Sequence, residues 1–225
     1  LPLALLAMAL TVIVALAAGV YAASHDRKAG DTGVMLLSQL GLSLPNFWLA
    51  ILLILLFAVQ LQWVSAGGFP GWREEDGGGL FAGVAALVLP ALALAAVQAA
   101  ILARVTRSSV LEALREDYVR TARAKGLTRK QVLWRHVLRN AMIPVLTIMG
   151  LQFANLITGA IVVERVFDLP GVGRLVFEGI GQRDLVLVRD VVMLLAAVVI
   201  VVNFAVDVLY AVIDPRLRTA APVDA

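Results

Sequence analysis

The sequence predicts an all-α fold, a polytopic helical membrane bundle with five spans. Three observations carry this. Of 225 residues, 61% are hydrophobic and 16% charged, whereas a soluble domain is about half apolar and about a quarter charged. The apolar residues come in continuous runs and do not alternate with polar ones, which excludes a β-barrel. Each run is also long enough for a helix, rising about 1.5 Å per residue, to cross about 30 Å of hydrocarbon.

Leu1 to Ser24 has no charged residue and forms the first span, about 1–24. Gly33 to Leu61 is uncharged and forms the second, about 34–61, with Pro45 in its first half. Gly77 to Ala103 is uncharged and apolar from Leu80, which places the third at about 80–103, around Pro90. Asn140 to Val163 forms the fourth, about 140–163, with Pro144 near its start. Val191 to Ile213 forms the fifth, about 191–213, and holds one charge, Asp207. An acid there is costly, about 2.5–3.5 kcal/mol at mid-membrane, so Asp207 is expected to pair with an arginine. The prolines read as kinks or first-turn residues held by packing, with a hinge as the functional alternative. The first run has no basic n-region, which argues against a secretory signal. A complete protein with a cytoplasmic N-terminus is expected to have one more span before Leu1.

Lys and Arg set the orientation, because they concentrate on the cytoplasmic side. The segment 104–139 holds ten of them and is therefore cytoplasmic. Arg27 and Lys28, and the tail with Arg216 and Arg218, fall on the same side. The loop from Gln62 to Phe81 falls outside, with Arg73 against Glu74, Glu75 and Asp76, and with Trp63, Phe69 and Trp72 as an interfacial belt. Glu164 to Asp190, with four arginines against five acids, also falls outside.

Several chemistries are excluded. There is no cysteine for a disulfide, a thiolate or a nucleophile, and His25 and His136 form no metal-binding spacing. A net charge of +3 is weak support for nucleic acid, and the charge sits in one loop. None of Lys28, Lys125 and Lys130 follows a glycine, so no phosphate-binding G-x-x-x-x-G-K-[ST] motif exists. Neither G-x-S-x-G nor H-E-x-x-H occurs, which disfavours an enzyme.

The 104–139 loop has helical punctuation. Ser109 with Glu112 and Thr128 with Gln131 read as capping boxes. Between them a helix is expected from Val110 to Lys125, with a Glu116–Arg120 pair and a stripe of Leu114, Tyr118 and Ala122. Gly126 suits the left-handed residue that ends it. A second amphipathic helix is expected from Arg129 to Arg139, pairing Leu133 with Val137 and Trp134 with Leu138. Such an elbow could lie on anionic headgroups, be a solvated face, or dock a soluble partner.

The residues Asp117-Tyr-Val-Arg-Thr-Ala-Arg-Ala-Lys-Gly-Leu127, followed by Trp134-Arg-His-Val-Leu-Arg-Asn-Ala-Met-Ile-Pro144, resemble the EAA loop of binding-protein-dependent ABC import permeases. Ala122, Gly126 and Leu138 match its pattern. Arg120, Thr121 and Arg139 depart from it as the B-type dipeptide/oligopeptide branch does. Ser43-Leu-Pro-Asn-Phe-Trp48, Val163-Glu-Arg-Val-Phe-Asp-Leu-Pro-Gly-Val-Gly173 and Asp207-Val-Leu-Tyr-Ala-Val-Ile-Asp-Pro-Arg216 resemble three further segments of that family, in the same order.

The resemblance implies a type I permease domain over 1–218 with a tail at 219–225, in a bacterial cytoplasmic membrane. It implies a second permease subunit, two ATP-binding subunits that hold the ATP and Mg, and an extracytoplasmic solute-binding protein, with no cofactor on this chain itself. It implies import of di- or oligopeptides, with nickel chelates or other small solutes as alternatives. Asp117, Tyr118, Arg120, Thr121, Ala122, Arg123, Ala124, Lys125, Gly126 and Leu127 become the ATPase-docking residues. Leu169, Pro170, Gly171 and Gly173 become a tight outer turn expected at the mouth of the pathway. A secondary transporter would instead want several intramembrane ionisable groups, where only Asp207 is present. A non-transporting membrane scaffold would use the loop for binding alone.

Overall fold

The structure, a computed structural model, describes residues 1–213. The end of the C-terminal signature from Asp214, Arg216, Arg218 and the tail 219–225 lie outside the described residues. So does the side chain of Asp207, and with it the expected arginine partner.

Helix α1 (Pro2–Ser24) starts with Pro2 in its first turn, where a missing N–H costs no hydrogen bond. Its buried positions Leu3, Ala7, Thr11, Ala15 and Gly19 recur every four residues. That spacing makes a narrow stripe of mostly small side chains, which lets α1 lie close along α4 (Leu80–Arg115). A Cβ on Gly19 would meet the carbonyl oxygen of Ala103 at 2.7 Å, so this contact requires glycine.

The second apolar run, expected as a span over about 34–61, is not one continuous helix. Helix α2 (Ala29–Ser43) and helix α3 (Asn46–Leu53), extended by a π-helical turn Ile54–Gln60, meet at an angle of 101°. Pro45 lacks an N–H, and its ring pushes Leu44 into an extended conformation with φ −99° and ψ 127°. Pro90 and Pro144 lie inside α4 and α7 (Leu138–Val166) without ending them.

The other spans are also longer than their uncharged runs. Helix α4 continues past Ala103 to Arg115, because Thr106, Val110 and Ala113 keep the buried face in register. Ser109 is part of that buried region in mid-helix, so the expected capping box at Ser109 and Glu112 does not form. The expected helix from Val110 to Lys125 is instead the end of α4, a break at Glu116, and α5 (Asp117–Ala124). Helix α6 (Arg129–Val132), a π-helical turn Leu133–Val137 and α7 run on as one helical segment from Arg129 to Val166. The expected second amphipathic helix is therefore the start of the fourth span. Helix α8 (Val172–Gln182) follows, and α9 (Leu185–Ile213) begins before the expected residue 191. The uncharged run marks the part of a helix suited to hydrocarbon, and the helix itself continues wherever one face still has something to pack against.

Four helices are long and apolar enough to cross a membrane, and the bent α2–α3 pair is a fifth candidate. Helix α4 is the axis on which α1, α2, α3 and α7 pack, while α7 also contacts α8 and α9. The core lies along α4: Leu87, Leu94, Leu156 and Phe167 near its start, Leu102 and Val145 midway, Val110, Val119, Val132 and Val137 at its end. Large apolar side chains such as Ile13, Leu37, Phe81, Ile200 and Phe204 are exposed, as befits a protein whose surroundings are lipid or partner helices.

Candidate functional site

The basic end of the molecule is an elbow between the two long helices α4 and α7. Glu116, at ψ 149°, ends α4 and serves as the N-cap of α5. The carboxylate next to Arg120 is therefore Asp117, at 3.5 Å on a fully solvated face, and not the expected Glu116. Val119 and Ala122 point inward against Val110, Ala113, Val132 and Val137. Leu114, Tyr118 and Leu127 are half-buried beside them.

Gly126 turns the chain at φ +86°, a conformation that only glycine takes without strain. A Cβ built there would have nothing within 4 Å. Within this chain, then, the requirement for glycine is conformational, and the space above it is open. Leu127 N–H donates to the Ala122 carbonyl at 3.3 Å and Gly126 N–H to that of Arg123 at 2.9 Å, which closes the end of α5. The next helix starts with the expected capping box. Thr128 N–H donates to Gln131 Oε1 at 2.9 Å, and Gln131 N–H to Thr128 Oγ1 at 3.4 Å.

Of the residues expected to dock a partner, Asp117, Arg120, Thr121, Arg123, Ala124, Lys125 and Gly126 are exposed, and Tyr118 and Leu127 are half-buried. Ala122 is buried in the elbow's own core, so it shapes the surface and does not belong to it. The result is a cationic knob with one apolar side packed against α4 and the segment that leads into α7.

One feature of this end was not read from the sequence. Asp31 in α2 is 4% exposed. Arg107 of α4 reaches across with Nη2 to Asp31 Oδ2 at 2.6 Å and to Asp26 Oδ1 at 3.0 Å, while its Nε binds the other Asp31 oxygen. The backbone N–H of Arg27 donates to Asp31 at 3.0 Å, with Arg27 held at φ +61°. One turn away Arg104 donates to Gln39 at 2.9 Å. In the sequence Arg104 and Arg107 stand out only as positive-inside charges. No local signal links Arg107 to Asp31, since the partner lies 76 residues away.

The expected outer turn lies at the opposite end of α7, a helix about 43 Å long at 1.5 Å per residue. Leu169 is buried, and Gly173 packs on the backbone of Ile161. Glu164 accepts from Gly173 N–H at 2.8 Å, which satisfies one free donor at the start of α8. Gly68 N–H donates to the Phe167 carbonyl at 2.9 Å, tying the 62–79 loop to the same turn. Phe69 and Trp72 stack edge-to-face there, with centroids 5.0 Å apart. The elbow and this turn do not meet. Among the described residues no cluster of His, Asp and Glu could hold a metal.

Comparison with known proteins places this architecture. Residues 15–219 match the family described as binding-protein-dependent transport system inner membrane component. A peptide transport system permease protein of Brucella abortus is 45% identical over 216 residues, covering 96% of this chain and 68% of that protein. The di/tripeptide transport system permease protein DppB of Pseudomonas aeruginosa is 42% identical, covering 97% and 70%. The glutathione transport system permease protein GsiC of Escherichia coli K12 is 42% identical, covering 96% and 67%. Among solved structures, an inward-facing MetNI methionine ABC transporter chain has the same fold, with a TM-score of 0.67, 17% identity and 94% of each chain covered.

Proposed function

We infer, from the premise that this chain belongs to the binding-protein-dependent transport system inner membrane component family and is a permease subunit of an ABC importer, that it carries di- or oligopeptides through a bacterial cytoplasmic membrane. The peptide assignment is supported by relatives named for peptide, di/tripeptide and glutathione transport. The reading of the elbow as the place where an ATPase subunit docks rests on one observation above the others. Gly126 stands at φ +86° with open space over it, on a cationic knob braced from behind by Val119 and Ala122.

In this reading the basic end faces the cytoplasm. Two ATP-binding subunits, which hold the ATP and Mg, dock on the elbows of this chain and of a second permease subunit. The turn at 169–173 faces outward, toward the mouth of the pathway and the solute-binding protein. Closure of the ATPases on ATP displaces the elbow, and α4 and α7 move with it because both are rooted in it. Arg107 carries α2 along with α4. The docked partner favours one arrangement over the other only through different contacts in the two states, which is the requirement for alternating access.

The decisive experiment is Gly126→Val. A β-branched residue at positive φ is strained by about 1–2 kcal/mol, and its side chain also occupies the open space above the elbow. The variant should insert at wild-type levels yet lose both ATPase co-purification and uptake. Wild-type values of both would overturn the docking assignment. Orientation is tested separately, because the chain has no cysteine of its own. Single cysteines at Arg73 and Glu75 should react with an impermeant thiol reagent on intact cells, and one at Arg123 should not.

A further inference from the structure

Beside the elbow, where α1 meets the start of α7, is an apolar groove of about 590 Å³. Ala17, Val20 and Tyr21 of α1 line one side, and Trp134, Leu138 and Met142 the other. Trp134 is 63% exposed and Tyr21 49%, which leaves both rings free to contact whatever covers this face. A second concavity shares Trp134 and is lined by Leu127, Lys130 and Arg135. Among the described residues neither Lys130 nor Arg135 enters an ion pair.

The level of the groove along the chain is informative. Met142 lies just inside the uncharged run that begins at Asn140, and Trp134 lies just before it. Tyr21 lies just inside the end of the run that stops at Ser24. The groove therefore reaches the boundary between hydrocarbon and headgroups, with its apolar walls on the membrane side, while Lys130 and Arg135 line the adjoining concavity across Trp134 on the aqueous side. Two aromatic residues stand at the height where such rings partition to the interface. A solvated basic face would not need the adjoining apolar groove, and a plain lipid-facing helix would not need the unpaired cations at one end of it.

We propose that this groove is a binding site for one anionic phospholipid of the cytoplasmic leaflet, with an acyl chain between Ala17 and Met142 and the headgroup phosphate against Lys130 and Arg135. The proposal uses the inward placement of the basic end given above. It commits to lipid and not to a soluble anion, because the concavity that holds the cations shares Trp134 with an apolar groove that a free phosphate would leave empty. It adds a role to this end that ATPase docking does not supply: a lipid seated here touches α1 and α7 at once, next to the elbow.

The test uses the purified importer complex in detergent, with phosphatidylglycerol or phosphatidylcholine added. Phosphatidylglycerol should raise the unfolding midpoint more than phosphatidylcholine does, and native mass spectrometry should retain it preferentially. The double variant Lys130→Gln, Arg135→Gln should weaken phosphatidylglycerol binding about 25-fold, from about 5-fold for each charge lost near an anionic lipid. Ala17→Phe, at an exposed position, should fill the groove and remove the preference with both cations intact. Equal response to the two lipids would overturn the proposal, as would an undiminished preference in both variants. Competition by soluble glycerol phosphate as strong as that by the lipid would assign the cations to a free anion and overturn it too. Loss of the ATPase subunits from the double variant with the lipid preference retained would place Lys130 and Arg135 in the docking interface instead, while leaving the elbow reading intact.

Discussion

The two ends of the bundle differ in how much charge adds to backbone contact. At the basic end Gly19 lies on the Ala103 carbonyl, and a long charged side chain bridges elements besides: Arg107 spans from α4 to Asp26 and Asp31. At the opposite end the backbones themselves touch. Gly173 sits on Ile161, Gly67 on the Phe167 carbonyl, and Gly78 on Pro70 and Gly71. An ion pair with two carboxylate partners can shift between them as helices slide, at modest cost. A glycine pressed on a neighbouring backbone has no such latitude. In the proposed function the basic end receives a push and the other end holds its shape, and the contrast suits that division.

The largest effect is expected where backbone meets backbone. A Cβ on Gly173 would lie 2.7 Å from Ile161 Cα, and backbone cannot turn aside as a side chain can. Gly173→Ala should therefore cost about 3 kcal/mol, the upper end of the range for overpacking, read as a lower unfolding midpoint of the purified protein. Tolerance of that alanine would remove the distinction between the two ends.

The clamp comes next. Arg107→Leu leaves Asp31 buried without its charge partner. Breaking a fully buried pair costs about 3–5 kcal/mol, and solvent reaching the partly exposed Arg107 and Asp26 reduces this to about 2 kcal/mol. Removing both charges, as Arg107→Leu with Asp31→Leu, should recover most of the loss, because an apolar pair of similar volume needs no compensation. Failure of that recovery would show that the charges do more than hold α2 to α4. The smallest effect belongs to the solvated face of the elbow. Arg120→Ala removes an exposed pair with Asp117 and should change the stability by less than about 0.5 kcal/mol, a barely shifted unfolding midpoint. A large drop there would mean that the elbow is held together by its surface charges and not by Val119 and Ala122.

Much of the candidate site was legible in the sequence because its signals are local. Gly126 at a helix end, Thr128 three residues before Gln131, and ten basic residues in one loop each act within a turn or two of chain. The Ser109–Glu112 reading failed because the same short pattern also occurs within a helix, and packing against the face around Val110 kept α4 going. The stripe of Leu114, Tyr118 and Ala122 failed as one helix because Glu116 breaks the register between them.

By itself, the sequence determined that this chain is a bundle of membrane helices, roughly where each enters hydrocarbon, and that its basic elbow turns at Gly126. Those follow from hydropathy, charge and a single backbone dihedral, all of which act over a few residues. Only the tertiary structure decided that the second run bends by 101° at Pro45, that the helical segment of the fourth span starts at Arg129, that Ala122 faces inward, and that Arg107 clamps Asp31. A proline in an apolar run is compatible with a kink, a first turn or a full break, and neighbouring helices select among them. A charged side chain likewise takes whichever partner the fold brings near, however distant in sequence.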